Sequence, residues 1–120
     1  MRLSNNEWKV LEVLWQGDGL PLGQVADALH PDTGWSRNTT LTYLTRMASK
    51  GLVAIDRESY PGLYRAGVDR STCQAAERQG FLQRVYQGST GQMVAAFLKE
   101  ETLSPQERAE LRKLLDEMEV

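Results

Sequence analysis

A single cysteine, Cys73, and a single histidine, His30, restrict the chemistry open to this 120-residue chain before any motif is sought. One thiol forms no internal disulfide, and one Cys with one His falls short of the three or four ligands of a zinc or copper site. Catalytic signatures are missing as well: no Gly-x-Ser-x-Gly, no Walker loop and no His-Glu-x-x-His occurs. His30 stands beside Pro31 in what reads as a loop, where a surface or capping role outweighs a catalytic one. Cys73 reads as a small buried hydrophobe rather than a reactive thiol. The longest apolar run, Met93 to Leu98, is far below the roughly 20 residues a membrane span needs. Met1-Arg2-Leu3-Ser4 leads into charge and not into a signal-type apolar stretch. The expectation is a soluble cytoplasmic protein without membrane binding, cofactor, metal or enzymatic activity.

What is present is a globular composition, with 41% hydrophobic and 25% charged residues and only four prolines. The length suits one compact domain, or one small domain with an appendage that borrows its core from a partner. A net charge of -2 looks wrong for a nucleic-acid binder, but its distribution matters more than its sum. Residues 1–35 set Arg2 and Lys9 against Glu7, Glu12, Asp18, Asp27 and Asp32, a balance of -3. Residues 36–70 set Arg37, Arg46, Lys50, Arg57, Arg65 and Arg70 against Asp56, Glu58 and Asp69, a balance of +3. Residues 71–120 return to -2, so the positive charge is concentrated in the middle of the chain.

Ser4-Asn5-Asn6-Glu7 is a capping box, and Trp8, Leu11 and Trp15 with Val10 and Leu14 follow at helical spacing until Gly17-Asp18-Gly19. Pro21 to Leu29 reads as a second, short helix ended by His30-Pro31-Asp32-Thr33-Gly34. Ser36 caps a third, running to Lys50 and stopped by Gly51. Its faces separate: Leu41, Leu44 and Ala48 fall on one side, while Thr39, Thr42, Tyr43, Arg46 and Lys50 cluster within roughly 100° of arc on the other. Leu52 to Arg57, a turn at Tyr60-Pro61-Gly62, and Leu63 to Val68 predict a two-stranded hairpin carrying arginines. Helix, helix, helix, hairpin in residues 1–70 is the order of a winged helix-turn-helix.

Beyond it the signal is purely helical. Ser71-Thr72-Cys73-Gln74 reads as a capping box before Phe81, Leu82, Val85 and Tyr86. A short helix carries Met93, Val94, Phe97 and Leu98, and Ser104-Pro105-Gln106-Glu107 opens a last one striped with Leu111, Leu114, Leu115 and Met118. Three such helices, about 45 residues, are too few to close a core alone. Residues 71–120 are therefore expected to pack on a second copy through Phe81, Leu82, Val85, Phe97, Leu111, Leu114 and Met118. The expected fold is mostly α with a small β-hairpin: a winged helix-turn-helix DNA-binding domain followed by a three-helix dimerisation domain.

Asn6-Glu7-Trp8-Lys9-Val10-Leu11-Glu12-Val13-Leu14-Trp15, Trp35-Ser36-Arg37-Asn38-Thr39-Thr40, Leu44 to Leu52 and Phe81 to Gly88, in this order, resemble the BlaI/MecI/CopY family of bacterial repressors. Met93 to Leu98 followed by Leu103-Ser104 resembles its C-terminal region. The resemblance implies a winged-helix repressor that binds a dyad operator as a homodimer, commonly at resistance or stress genes, with a membrane sensor-protease encoded nearby as a further partner. The family's scissile Asn-Phe pair corresponds to Ala96-Phe97, which keeps the phenylalanine but not the asparagine. The C-terminal cysteine cluster of the copper-responsive branch has no counterpart in Leu115 to Val120.

The third helix offers groups suited to base edges. Arg46 can donate two bonds to guanine, Asn38 can pair with adenine, and the methyls of Thr39 and Thr42 suit thymine. Ser36 with the helix N-terminal N–H groups, Arg37 and Lys50 suit phosphates, as do Arg57 and Arg65 on the wing with Tyr60 at its tip. Tyr43 is equally suited to lying against the wing. Trp8, Trp15 and Trp35 read as core or core edge. A winged-helix protein-interaction module without specific DNA binding remains the alternative; it accounts for the net negative charge but not for the basic, threonine-rich helix face.

Overall fold

The computed structural model describes residues 2–100 and 102–118. The chain forms two compact units, residues 1–78 and 79–120. The first contains α1 (Asn5–Trp15), β1 (Leu20–Pro21), α2 (Leu22–Thr33), α3 (Arg37–Ser49), β2 (Val53–Asp56) and β3 (Leu63–Ala66); α4 (Arg70–Tyr86) crosses the boundary, and α5 (Thr90–Glu100) and α6 (Pro105–Glu117) follow.

In the first unit each helix begins and ends where backbone chemistry requires it. The Ser4 hydroxyl accepts from the Glu7 N–H at 3.2 Å while the Ser4 N–H donates to Glu7 Oε1 at 2.9 Å, which satisfies two orphan donors of α1. α2 outlasts the expected stop and runs to Thr33 with Pro31 inside it. Proline's fixed φ is helical, and in the last turn its missing N–H leaves a single carbonyl without a helical partner. Gly34, at φ 69°, then ends the helix and donates to the His30 carbonyl at 2.8 Å. α3 starts on Ser36, whose hydroxyl accepts from the Thr39 N–H. It closes with a Schellman motif, in which Gly51 N–H donates to the Ala48 carbonyl and Leu52 N–H to the Met47 carbonyl, with Gly51 at φ 81°.

The expected hairpin is two strands of a three-stranded antiparallel sheet in the order β1-β3-β2, with Leu20 and Ile55 flanking Tyr64. β1 has two residues, too few to show any alternation, and its proline fits an edge position. Behind β3, a Cβ on Gly67 would stand 2.6 Å from the Gly51 carbonyl oxygen, so only glycine lets the wing return this close to the end of α3.

The core is made by Val10, Leu11 and Leu14 of α1, Val25 and Leu29 of α2, Leu44 and Met47 of α3, Leu52 and Val53, and Cys73 from α4. Leu41, expected in this core, is 36% exposed; Thr40 and Met47 occupy the buried arc with Leu44. Thr40 can do so because its hydroxyl donates to the Ser36 carbonyl at 3.1 Å. Trp15 sits at the core edge, its indole N–H donating to the Val68 carbonyl at 2.9 Å and its ring under the Arg70 guanidinium.

α4 starts at Arg70, earlier than the Ser71 box predicts: Cys73 N–H bonds the Asp69 carbonyl, which places Ser71 inside the helix. Cys73, three residues past the expected domain boundary at residue 70, is buried in the core of the first unit. That burial, with Asp69 beside it, also raises the thiol's pKa.

In the second unit Leu82 and Met93 are buried and Phe81 stacks on Phe97 at 6.2 Å between ring centroids. The Ser104–Glu107 capping box forms as expected. Among the described residues of α6 none is buried.

Candidate nucleic-acid interface

The polar face of α3 exists because the opposite face is spent on Thr40, Leu44 and Met47. Asn38, Thr39, Thr42 and Arg46 are exposed along it. Arg46 and Asn38 have no side-chain partner among the described residues, which leaves a guanidinium fork and an amide available to an incoming ligand. The Thr42 hydroxyl donates to the Asn38 carbonyl at 3.0 Å, and the Thr39 hydroxyl lies 3.1 Å from Ser36 Oγ. Both threonine hydroxyls therefore have a local partner, and what they present outward is methyl surface and acceptor lone pairs.

At the N-terminal end of α3 the Arg37 guanidinium lies by Gly23 of α2, where an added Cβ would come within 3.1 Å of Nη2. Pro21, at the start of α2, has no side chain that caps the first N–H groups. On the wing, Asp56 accepts from the Glu58 N–H at 3.0 Å and from the Ser59 hydroxyl at 2.8 Å, fixing the turn that presents Arg57 and the fully exposed Tyr60. The Ser59 hydroxyl, then the Ser59 and Glu58 N–H groups, hold the Asp56 carboxyl below its ordinary pKa, against a small opposing burial effect and with help from Arg65. Arg65 itself stands 3.8 Å from Asp18, a loose pair in open solvent.

Two of the sequence-derived candidates are tied into the protein. Tyr43 is half-buried: it stacks on Trp35 at 4.2 Å between centroids and 11° between planes, and its hydroxyl accepts from Asn6 Nδ2 at 3.1 Å. Lys50 donates to Glu7 Oε2 at 3.0 Å. Asn6 and Glu7, on the first turn of α1, escaped the sequence reading as members of this region because 37 and 43 residues separate them from their partners. His30 is exposed in the last turn of α2 and not in a loop, with Nδ1 3.0 Å from the Trp35 carbonyl oxygen.

Of the residues expected at a subunit interface in the second unit, Leu82 is 7% exposed and has little surface to give a partner. Phe81 and Leu111 are half-buried, and Val85, Phe97, Leu114 and Met118 are exposed, together with Val94, Leu98 and Leu115. Ala96 is half-buried beside Phe97.

A sequence model described as penicillinase repressor matches residues 3–117. The penicillinase repressor of Bacillus licheniformis is 30% identical over 116 residues, covering 97% of this chain and 91% of the relative. The methicillin resistance regulatory protein MecI of Staphylococcus aureus (strain N315) is 26% identical over 114 residues, covering 95% and 93%. Among solved structures, monomeric Bacillus licheniformis BlaI in complex with the blaP half-operator is 27% identical, with a TM-score of 0.53 over 59% of this chain and 87% of that one. A MarR family protein from Bacillus stearothermophilus, 20% identical, shares the fold at a TM-score of 0.52 over 98% of this chain and 76% of its own.

Proposed function

Since the chain belongs to the penicillinase repressor family, which is a family of repressors and not of enzymes, we propose that it is a sequence-specific double-stranded DNA-binding repressor acting as a homodimer on a dyad operator. The observation that carries this reading is the face of α3, where Asn38, Thr42 and Arg46 stand exposed on one side of a helix anchored in the core by the other. An α-helix fits the major groove, and an arginine fork there is suited to guanine O6 and N7. Ser36, Arg37, Thr39, Arg57 and Arg65 supply phosphate and flanking contacts, and Lys50 and Tyr43 brace the helix from its edges. The relative solved on its half-operator supports DNA as the ligand class.

A dimer would cover the apolar side chains the second unit leaves in solvent. An open groove of about 560 Å³ lies beside that surface, where Leu98, Leu103, Leu111 and Leu115 alternate with Arg108, Arg112 and Asp116. Two identical recognition helices would then meet half-sites about one or more DNA turns apart, roughly 34–36 Å centre to centre. Repression of resistance or stress genes from the cytoplasm extends the same reading, with a membrane sensor-protease encoded nearby as a further partner; Ala96 in place of the family's asparagine argues against release by cleavage at Ala96-Phe97. No described helix is long and apolar enough to cross a membrane.

Fluorescence anisotropy against the chain's own upstream intergenic DNA and a scrambled duplex, across a salt series, tests the proposal. Native DNA should bind far more tightly, with a steep negative slope of log affinity on log salt. Arg46→Ala should cost about 1–3 kcal/mol on the native sequence and little on the scrambled one. Absence of binding to either duplex at low salt would move the protein to the interaction-module reading.

A further inference from the structure

Glu7 is the one acidic side chain among the described residues that is buried, at 7% exposure, and the capping box accounts for only one of its oxygens. Oε1 accepts from the Ser4 N–H; Oε2 accepts from Lys50 Nζ at 3.0 Å. Lys50 is the residue on which α3 ends, so the pair ties the first turn of α1 to the last turn of the candidate recognition helix. One residue earlier, Asn6 Nδ2 donates to the hydroxyl of Tyr43, in the middle of α3, and Tyr43 stacks on Trp35 in the segment leading into that helix. The first turn of α1 therefore holds α3 at two points that flank Arg46 on the helix.

We propose that Glu7 is a positioning residue for DNA recognition: through Lys50, with Asn6–Tyr43 as the second tie, it sets the pose in which Arg46 meets a base pair, and Lys50 is a strut and not a phosphate contact. The inference rests on the DNA-binding reading. A removal of the Lys50 charge separates the two roles, because a phosphate contact weakens all duplexes alike and lowers the salt slope by about one, whereas a strut acts on the specific complex alone. Burial favours the same division. Lys50 itself is largely exposed, but its turning toward DNA would leave the buried Glu7 carboxylate without its charge partner, which costs more than breaking an exposed pair.

The test uses Glu7→Gln, since glutamine at this position preserves the capping box and leaves the start of α1 intact while removing the charge that holds Lys50. Glu7→Gln and Lys50→Met should each lower the native-to-scrambled affinity ratio by about tenfold, with unchanged salt slope. The double variant should be no worse than either single one, and Lys50→Arg should restore the ratio. Amide hydrogen exchange without DNA gives a second readout: Glu7→Gln should speed exchange of the Lys50, Gly51 and Leu52 N–H groups about tenfold relative to those of α2. The proposal is overturned if Lys50→Met weakens both duplexes equally and lowers the slope while Glu7→Gln binds like the parent, or if the amides keep their protection. A parent protein that binds neither duplex at low salt refutes the DNA-binding reading instead, and the exchange measurement then decides the clamp by itself.

Discussion

The two units solve the problem of an apolar helix face in opposite ways. In the first, Val10, Leu11, Val25 and Leu44 are 0% exposed and Leu14 and Met47 1%, because three helices, a sheet and the start of α4 enclose them from every side. In the second, helices of equally clear amphipathic pattern leave Phe97 48%, Leu114 56% and Met118 64% exposed. Periodicity states which side of a helix is apolar. It says nothing about whether the chain itself carries enough structure to cover that side, which is a matter of surface and volume.

The sharpest way to break this contrast is to empty the closed core. Leu44→Ala should destabilise the first unit by about 2–5 kcal/mol, the lost transfer free energy plus the cavity, as read by denaturant unfolding. The same truncation at Leu114 should leave that unfolding transition in place, since the side chain is already in solvent. A charge on the open face acts on association instead. Leu114→Asp with Met118→Lys should turn a dimer into a monomer by sedimentation equilibrium, and a concentration-independent monomer mass for the parent would remove the dimer altogether.

The smallest effect is electrostatic and lies in the first unit. Burial pushes the Glu7 pKa upward, but the Ser4 N–H, Lys50 and the Ser4 hydroxyl outweigh it and hold the carboxyl below its ordinary value. A lowered folded-state pKa contributes stability that is fully present above the ordinary value and is lost as pH falls through the folded one. Unfolding of the parent by acid should therefore steepen in that window, and Glu7→Gln should flatten the slope there.

Much of this architecture was readable from local chemistry. Ser4, Ser36 and Ser104 cap where expected because a cap involves four consecutive residues and nothing distant. Gly51 ends α3 for the same reason. The errors cluster where a distant partner decides. Ser71 is a good cap by pattern, yet α4 begins at Arg70, with the Cys73 N–H bonded to the Asp69 carbonyl and Cys73 in the core of the first unit. Leu41 lies close enough to the apolar arc of α3 to be assigned to it, and Thr40 displaces it by bonding its hydroxyl inside the helix.

The candidate interface divides along the same line. Arg46, Asn38 and Thr42 were legible because all three ride on one helix, where spacing alone places them together. Tyr43 and Lys50 belong to that arc by the same arithmetic, and only the folded chain shows them answering to Asn6 and Glu7. The sequence by itself determined the helices, their caps and the polar face of α3, since each follows from interactions within a few residues of the backbone. Which members of that face bond to distant residues was decided by tertiary structure, because a contact across more than thirty residues leaves no trace in local periodicity.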